Sequence, residues 1–433
     1  MRPPRAALVL LLVGCGGGGN EPPADAGGPD ADPTAVTVRV IRGGQPLAGA
    51  AVVVHSSDGL VQAEATTAAS GDVVVHPPAN GMITVATSEA TSAEIITATG
   101  VSGGEELIFV VGRPAAATQV GMVTVNLPSM GVPAGAATFS VNLGCRVGTT
   151  DAVANPVPVA LFPTCLSADG KYDVLATAFD QTMVPLAFAS VKGSTPQPAA
   201  TLSLGGSWNT TLGMVRLTLM NGGPLAAAKL SGVDTLDSNG ILFANAALRE
   251  TTDTGVPFQI DQVVPTTFAG SYHYTANANW SLAPFVTDSS LESRVAPAAT
   301  LGVDMMQLLP RVEDLTLEFP PTDMTRPRLR WTSAGSLAAA DGGALSVRWV
   351  AGPTQTQWTI LVPGDAAQPV QLPALPEGLA AFRPVPESES ASIVFFESDQ
   401  IAGYPAFRRR NIALFEDIPV ANYTKRVTSS VRQ

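Results

Sequence analysis

The chain has 433 residues, of which 45% are hydrophobic and 14% charged: enough apolar material for several cores, and too little charge for a disordered chain. Its 41 glycines and 36 prolines cut Val-, Ile-, Leu- and Thr-rich runs to strand length, which excludes a helical bundle and predicts an all-β protein. A net charge of −12 with no basic stripe excludes nucleic acid as a partner and reads as a means of staying soluble.

In chain order, Arg2 and Arg5 make a basic start, and residues 6–13 form an apolar run. Those eight residues fall far short of the about twenty needed to span a bilayer. They end in Leu12-Val13-Gly14-Cys15, which resembles the lipobox of bacterial lipoproteins at all four positions. The resemblance implies a signal peptide over 1–14, diacylglycerol on the Cys15 sulfur, cleavage after Gly14 and acylation, as with palmitate, of the new amine. Several acyl chains on one residue give stable membrane attachment where one would not. Gly16 in place of an aspartate implies the outer membrane, and loss of Arg2 and Arg5 makes the mature charge −12 − 2 = −14.

Residues 15–35 carry the lipidated cysteine and a Gly/Pro/Asp linker with no large apolar side chain, so they read as a flexible tether. Asp25, Asp30 and Asp32 lack the spacing of a calcium loop. The chain has three cysteines; with Cys15 lipidated, Cys145 and Cys165 remain, 165 − 145 = 20 apart. In an oxidising compartment this pair predicts a disulfide, worth on the order of 3 kcal/mol.

Residues 36–113 form the first expected domain. Val36, Val38 and Val40 alternate with Thr37 and Arg39, and turns are signalled at Asp58-Gly59, Thr67 to Gly71 and Asn80-Gly81. The segments G-x-P-L-x-G-A-x-V-x-V (Gly44 to Val54), T-x-x-x-G (Thr67 to Gly71) and G-x-x-x-V (Gly81 to Val85) resemble the carboxypeptidase regulatory-like domain. That resemblance implies a transthyretin-like β-sandwich, usually an accessory beside something else, and no activity of its own.

Two later segments open alike, Gly121-Met122-Val123-Thr124-Val125 and Gly213-Met214-Val215-Arg216-Leu217, 213 − 121 = 92 residues apart. That interval is about one immunoglobulin-like sandwich. The expected units are a sandwich with the cysteine pair at 117–205, a β-rich domain at 206–318 and a last sandwich at 320–420. The last has strands expected at 328–331, 345–350, 357–362, 392–396 and 412–416, in a pattern similar to fibronectin type III, with Trp331, Trp349 and Trp358 in its core. A short helix is expected at 305–309, and the tail from residue 421 is expected to fray. Whether 117–318 is one domain or two stays open at this level.

The motifs of catalysis are weak. Gly100-Val101-Ser102-Gly103-Gly104 matches G-x-S-x-G, but the residues after it have strand character, whereas a nucleophile elbow needs a helix there. His55 and His76 each end an apolar strand with no third ligand in view, and His273 lacks an acid or nucleophile partner in the sequence. The carboxylate pairs Glu313/Asp314, Glu387/Glu389 and Glu397/Asp399 read as solvated charge. No catalytic residue, cofactor or metal site is therefore expected. Trp208 and Trp280, in polar surroundings, are the candidates for an exposed, ligand-facing role such as sugar stacking. The expectation is a non-enzymatic envelope lipoprotein presenting tandem antiparallel β-sandwiches to a partner protein. A surface carbohydrate-binding adhesin is the first alternative, and a hydrolase with an unrecognised site the second.

Overall fold

The computed structural model describes residues 32–112, 118–221, 227–236, 242–243, 249–251, 258–265, 268, 270–282, 285–386, 390–409 and 422–432. Cys15, most of the linker and the strand expected at 412–416 lie outside them. What is described is a set of tandem, largely antiparallel β-sandwiches.

The first unit contains β1 (Val36–Arg42), β2 (Gln45–Pro46), β3 (Ala51–His55), β4 (Val61–Thr66), β5 (Asp72–Val75), β6 (Gly81–Ser88), β7 (Ser92–Val101) and β8 (Glu106–Val111). One sheet is β2-β1-β5 with β8 parallel to β1; the other is β4-β3-β6-β7. Period-two alternation sends Val36, Val38 and Val40 into the core against Val52, Ile83 and Phe109. The Thr67 to Gly71 motif has a local cause. Thr67 Oγ1 donates to the Leu47 carbonyl at 2.7 Å and accepts the Ala50 N–H at 3.0 Å. Gly71 sits at φ +78°, where a Cβ would lie 2.8 Å from the Val40 carbonyl oxygen.

The second unit contains β9 (Gly121–Asn126), β10 (Thr138–Asn142), β11 (Val147–Thr150), β12 (Val157–Leu161), β13 (Tyr172–Phe179), β14 (Pro185–Ser194) and β15 (Ala199–Ser203). Sheets β11-β10-β13-β14 and β12-β9-β15 enclose Val123, Val125, Val141, Tyr172 and Val174. The Cys145–Cys165 disulfide ties the turn after β10 to the turn after β12, and so one sheet to the other.

The third stretch contains β16 (Leu212–Met220), β17 (Ala227–Leu236), β18 (Leu242–Phe243), β19 (Arg249–Thr251), β20 (Phe258–Pro265), β21 (Ser271–Leu282), β22 (Phe285–Val295) and β23 (Thr300–Asp304). The fourth contains β24 (Val312–Glu318), β25 (Arg328–Ser333), β26 (Gly342–Ala351), β27 (Thr354–Val362), β28 (Val370–Gln371), β29 (Ser390–Ser398), the helix α1 (Gly403–Arg409) and β30 (Lys425–Arg432). Trp331, Trp349 and Trp358 are buried here, as the strand pattern predicts. The helix expected at 305–309 is a single 3-10 turn, Met305–Gln307. The helix α1 had no signal in the sequence reading.

Two expectations are corrected. The boundary expected near Pro320 is not a break in the fold. One sheet of 13 strands runs β18-β17-β21-β22-β30-β29-β26-β27-β7-β6-β3-β4, with β19 beside β17. A single core beneath it joins Val215 and Leu291 to Leu345, Trp358 and Val431. The tail, expected to fray, supplies β30 at the centre of that sheet, paired with β22 on one side and β29 on the other. Val427, Ser429 and Val431 alternate inward and are fully buried.

The first unit joins the last through the parallel pair β7–β27. At this seam Ile95 faces the large core while Ile96 and Ala98 face the core of the first sandwich. A buried hydrogen-bond chain crosses it: His55 Nε2 to Thr84 Oγ1 (2.9 Å), Thr84 to Thr97 (2.8 Å), and Trp358 Nε1 donating to Thr97 (2.9 Å). Above it α1 docks on β8: the Arg408 guanidinium pairs with Glu105, both nearly buried, and the Tyr404 hydroxyl donates to the Leu361 carbonyl at 2.6 Å.

Candidate functional site

The residues singled out from sequence do not converge. Cys15 lies outside the described residues. Ser102 sits in the turn between β7 and β8, its N–H donating to Glu105 Oε1 at 3.0 Å, so the G-x-S-x-G match joins two strands and is no nucleophile elbow. His55 is buried, and burial together with the Arg326 charge lowers its pKa to about 4. His76 is exposed and meets Asp32 and Thr34. Glu313 pairs with Arg311, Glu397 with Lys425, and Asp399 accepts from Thr424; Glu387 and Glu389 lie outside the described residues. Among the described residues, no three His, Cys, Asp or Glu side chains come together as a metal cluster.

Trp208, expected to face a ligand, is a core residue. It is 4% exposed, packs on Phe139 at a ring separation of 5.6 Å and donates from Nε1 to the Pro128 carbonyl at 2.9 Å. Its polar neighbours misled because the chain turns there: Ser207 and Asn209 make bridges to Met130 and Phe188 while the indole fills the end of the sandwich. Trp208→Ala is expected to destabilise this unit by about 3–5 kcal/mol in chemical denaturation, the range for a buried aromatic. Trp280 lies in β21 opposite Thr287, and its side chain is outside the described residues.

What the fold does assemble is a polar trough along the face of the large sheet that turns away from the main core. Alternate residues of β22, β30, β29, β26, β27 and β7 line it: Ser290, Thr428, Ser392, Ser346, Gln357 and Glu94 among them. At ordinary strand spacing these six strands span about 24 Å. Two recesses lie along it. One, of about 400 Å³, is floored by hydroxyls: Ser290 and Thr428 are 2.7 Å apart across the strands, with Ser430, Ser392 and Ser346 beyond. The other, of about 530 Å³, lies where the first unit meets the last, and holds Arg348, Gln355, Gln357, Glu94, Arg42 and Glu89. Arg348 Nε donates to Gln357 Oε1 at 3.0 Å, and Ser346 and Thr359 are 3.0 Å apart. Burial pushes the Glu94 carboxyl above the usual range, partly offset by the Gly112 N–H and the Arg42 charge.

At the β22 end, Glu292 is the hub. Burial alone would raise its pKa. The hydrogen bond from His273, the Arg426 charge and the hydrogen bonds from Tyr423 and Arg426 more than offset this and hold it at about 2. The Arg426 contact is 2.6 Å, and the Tyr423 hydroxyl donates to the other carboxylate oxygen. Glu292 therefore adds stability in full above about pH 4.5, its unfolded value, and loses it as pH falls through about 2. Glu292→Gln is expected to remove that part of the acid dependence, read as a flatter stability profile in urea unfolding between those pH values.

Chemically, the trough offers donors and acceptors together: hydroxyls, amides, guanidinium groups and carboxylates. Sequence reasoning missed it because each strand contributes only alternate polar residues, and the strands come from three distant stretches. The signal present was the period-two polar pattern Asp288, Ser290, Glu292 and Thr428, Ser430, Arg432, legible only once register is known.

No protein-family model matches the chain, and no curated protein matches it in sequence. Among solved structures, the Bacillus anthracis TIE protein aligns at 11% identity over 63% of this chain and 49% of its own, with a TM-score of 0.15. The chain thus spans about half of that structure's length. GBS52, the minor pilin of Streptococcus agalactiae, aligns at 12% identity over 41% of this chain and 96% of its own, with a TM-score of 0.17.

Proposed function

We propose that the chain is a non-enzymatic envelope lipoprotein, held to an outer membrane by lipid on Cys15, that works by presenting its fused β-sandwiches to an envelope protein. The trough is the observation that carries this reading. It is an extended, half-buried polar face on a continuous sheet, and a rigid backbone holds its groups in fixed register. Such a face suits recognition more than turnover. Ser102, the one serine in a catalytic-looking motif, lies on the turn between β7 and β8.

The anchor is tested by Cys15→Ser, expected to move the chain from the membrane to the soluble fraction and to end palmitate incorporation; unchanged fractionation would overturn it. The contact face is tested by a photo-cross-linking residue at Ser392, inside the trough, against one at Val74, 57% exposed on the first unit. One dominant envelope protein captured from Ser392 and not from Val74 is the expected result.

A second reading is favoured by the balance of hydroxyls and amides in the trough, which suits a hydroxyl-rich glycan chain. Loss of every protein cross-link, together with retention on insoluble envelope polysaccharide that Ser392→Lys abolishes, would establish it in place of the first. Labelling by a fluorophosphonate probe that Ser102→Ala removes would overturn the non-enzymatic reading.

A further inference from the structure

We infer that a second cleft, between the second sandwich and the strands β16 and β20, is a binding site for a small, neutral, amphipathic molecule, with Met183 as its clamp. The cleft has a volume of about 280 Å³. Two of its lining residues, Leu175 and Phe188, also pack with Phe243 and Phe268, the last two meeting edge-on at 4.7 Å. Its walls are apolar, from Leu175, Phe179, Phe188, Leu212 and Val263. Its polar groups form one strip: Ser140 and Asn142 on β10, Thr149 on β11 and Thr177 on β13. Apolar walls with a few convergent polar groups at the junction of two units are the usual make-up of a small-molecule site.

Charge decides the ligand class. In a chain of net charge −12, none of the side chains lining this cleft is charged. An ion placed there would give up water and find no counter-charge. A ligand with an apolar body and a hydroxyl or carbonyl would bury the first against the walls and turn the second to the hydroxyl strip.

The backbone supplies the second, independent observation. Between β13 and β14 the Met183 N–H donates to the Asp180 carbonyl (3.1 Å) and the Asp180 N–H to the Val184 carbonyl (3.0 Å). This is a tight turn closed by a one-residue bulge, and the bulged position is left-handed, where glycine is the ordinary choice. Here it holds Met183 at φ +63°. The other non-glycine residues at positive φ among the described residues are asparagines, Asn80 and Asn221, which tolerate it. The Asp180 carboxylate fixes the turn by accepting the N–H groups of Thr182 (2.8 Å) and Val184 (2.9 Å). A costly conformation is thus kept to set a flexible thioether, 58% exposed, on the rim at the Phe179 end of the cleft, while Val147, 57% exposed, lines it at the Asn142 end. Strain held at a rim is a mark of a ligand clamp, and methionine moulds itself to varied apolar shapes.

The test uses the full chain carrying Cys15→Ser in detergent-free buffer, with 1-naphthol as probe, a neutral aromatic body with one hydroxyl. Its fluorescence is expected to change saturably on titration, while naphthalene-1-sulfonate, its anionic counterpart, gives no saturable change. Met183→Gly is expected to raise the melting midpoint by about 1–3 °C, because glycine relieves the strain. The same variant is expected to weaken 1-naphthol binding about three- to tenfold through loss of the apolar side chain that would close over the ligand. Val147→Lys, at the opposite end of the cleft, is expected to weaken binding with the fold intact. No saturable response to 1-naphthol, an equal response to the sulfonate, or unchanged affinity in both variants would overturn the proposal.

Discussion

A chain ending at residue 424 is expected to lose its C-terminal half as a folded unit, the largest single effect that the structure forecasts. β30 is the strand between β22 and β29, with partners from Val286 to Ser293 on one side and from Ser392 to Ser398 on the other. Its removal takes two fully buried valines, Val427 and Val431, each worth about 1.5–3 kcal/mol. It also strips the ladder partners from both neighbours, and takes Ser429, whose Oγ accepts the Val312 N–H at 3.2 Å and the Ser289 hydroxyl at 3.3 Å. Against a total stability of about 5–15 kcal/mol the loss is disabling. Limited proteolysis should then cut freely within 212–424 while sparing 118–209, whose core, Trp208 included, is separate. A protected 212–424 fragment would contradict the central role of the strand.

Arg408→Ala is expected to cost about 3–5 kcal/mol, because it leaves the Glu105 carboxylate buried without its cation. The side chains of Arg408 and Glu105 are 7% and 9% exposed, and the Arg408 Nε donates to Glu105 Oε2 at 2.9 Å. The guanidinium also donates to the Gly100 carbonyl, so one side chain secures the β7–β8 turn to α1. The double variant Arg408→Met with Glu105→Gln, which removes both charges, should recover most of the loss. A double-mutant cycle in chemical denaturation measures the coupling. Additive costs would mean the pair does not act as a unit.

The sequence was most legible where one strand carries its own alternation. Val36 to Val40 and the strands bearing Trp331, Trp349 and Trp358 could be placed from the sequence alone, because a buried face writes itself into the strand pattern. The cysteine pair was legible by elimination. Pairing between distant strands was not. Nothing in Thr354–Val362 announces a parallel partner at Ser92–Val101, since a buried strand reads the same beside any neighbour. The trough was hidden for the same reason: Ser290 and Thr428 are 138 positions apart, and their 2.7 Å contact depends on register. Trp208 shows the opposite failure. Its polar flanks described the turn around it, while the indole's own size determined its burial.

The position of β30 also bears on the order of events when the chain is made. Synthesis runs from the N-terminus, so every other strand of the large sheet exists before the one that separates β22 from β29. Until β30 has been made, those two strands face a slot one strand wide, with their ladder groups unmatched. The large sheet can therefore close only after β30 has been made, and until then the strands on either side of it lack the partner that joins them. The first and second sandwiches, closed by strands near in sequence, carry no such delay and set the frame onto which the late half is fitted.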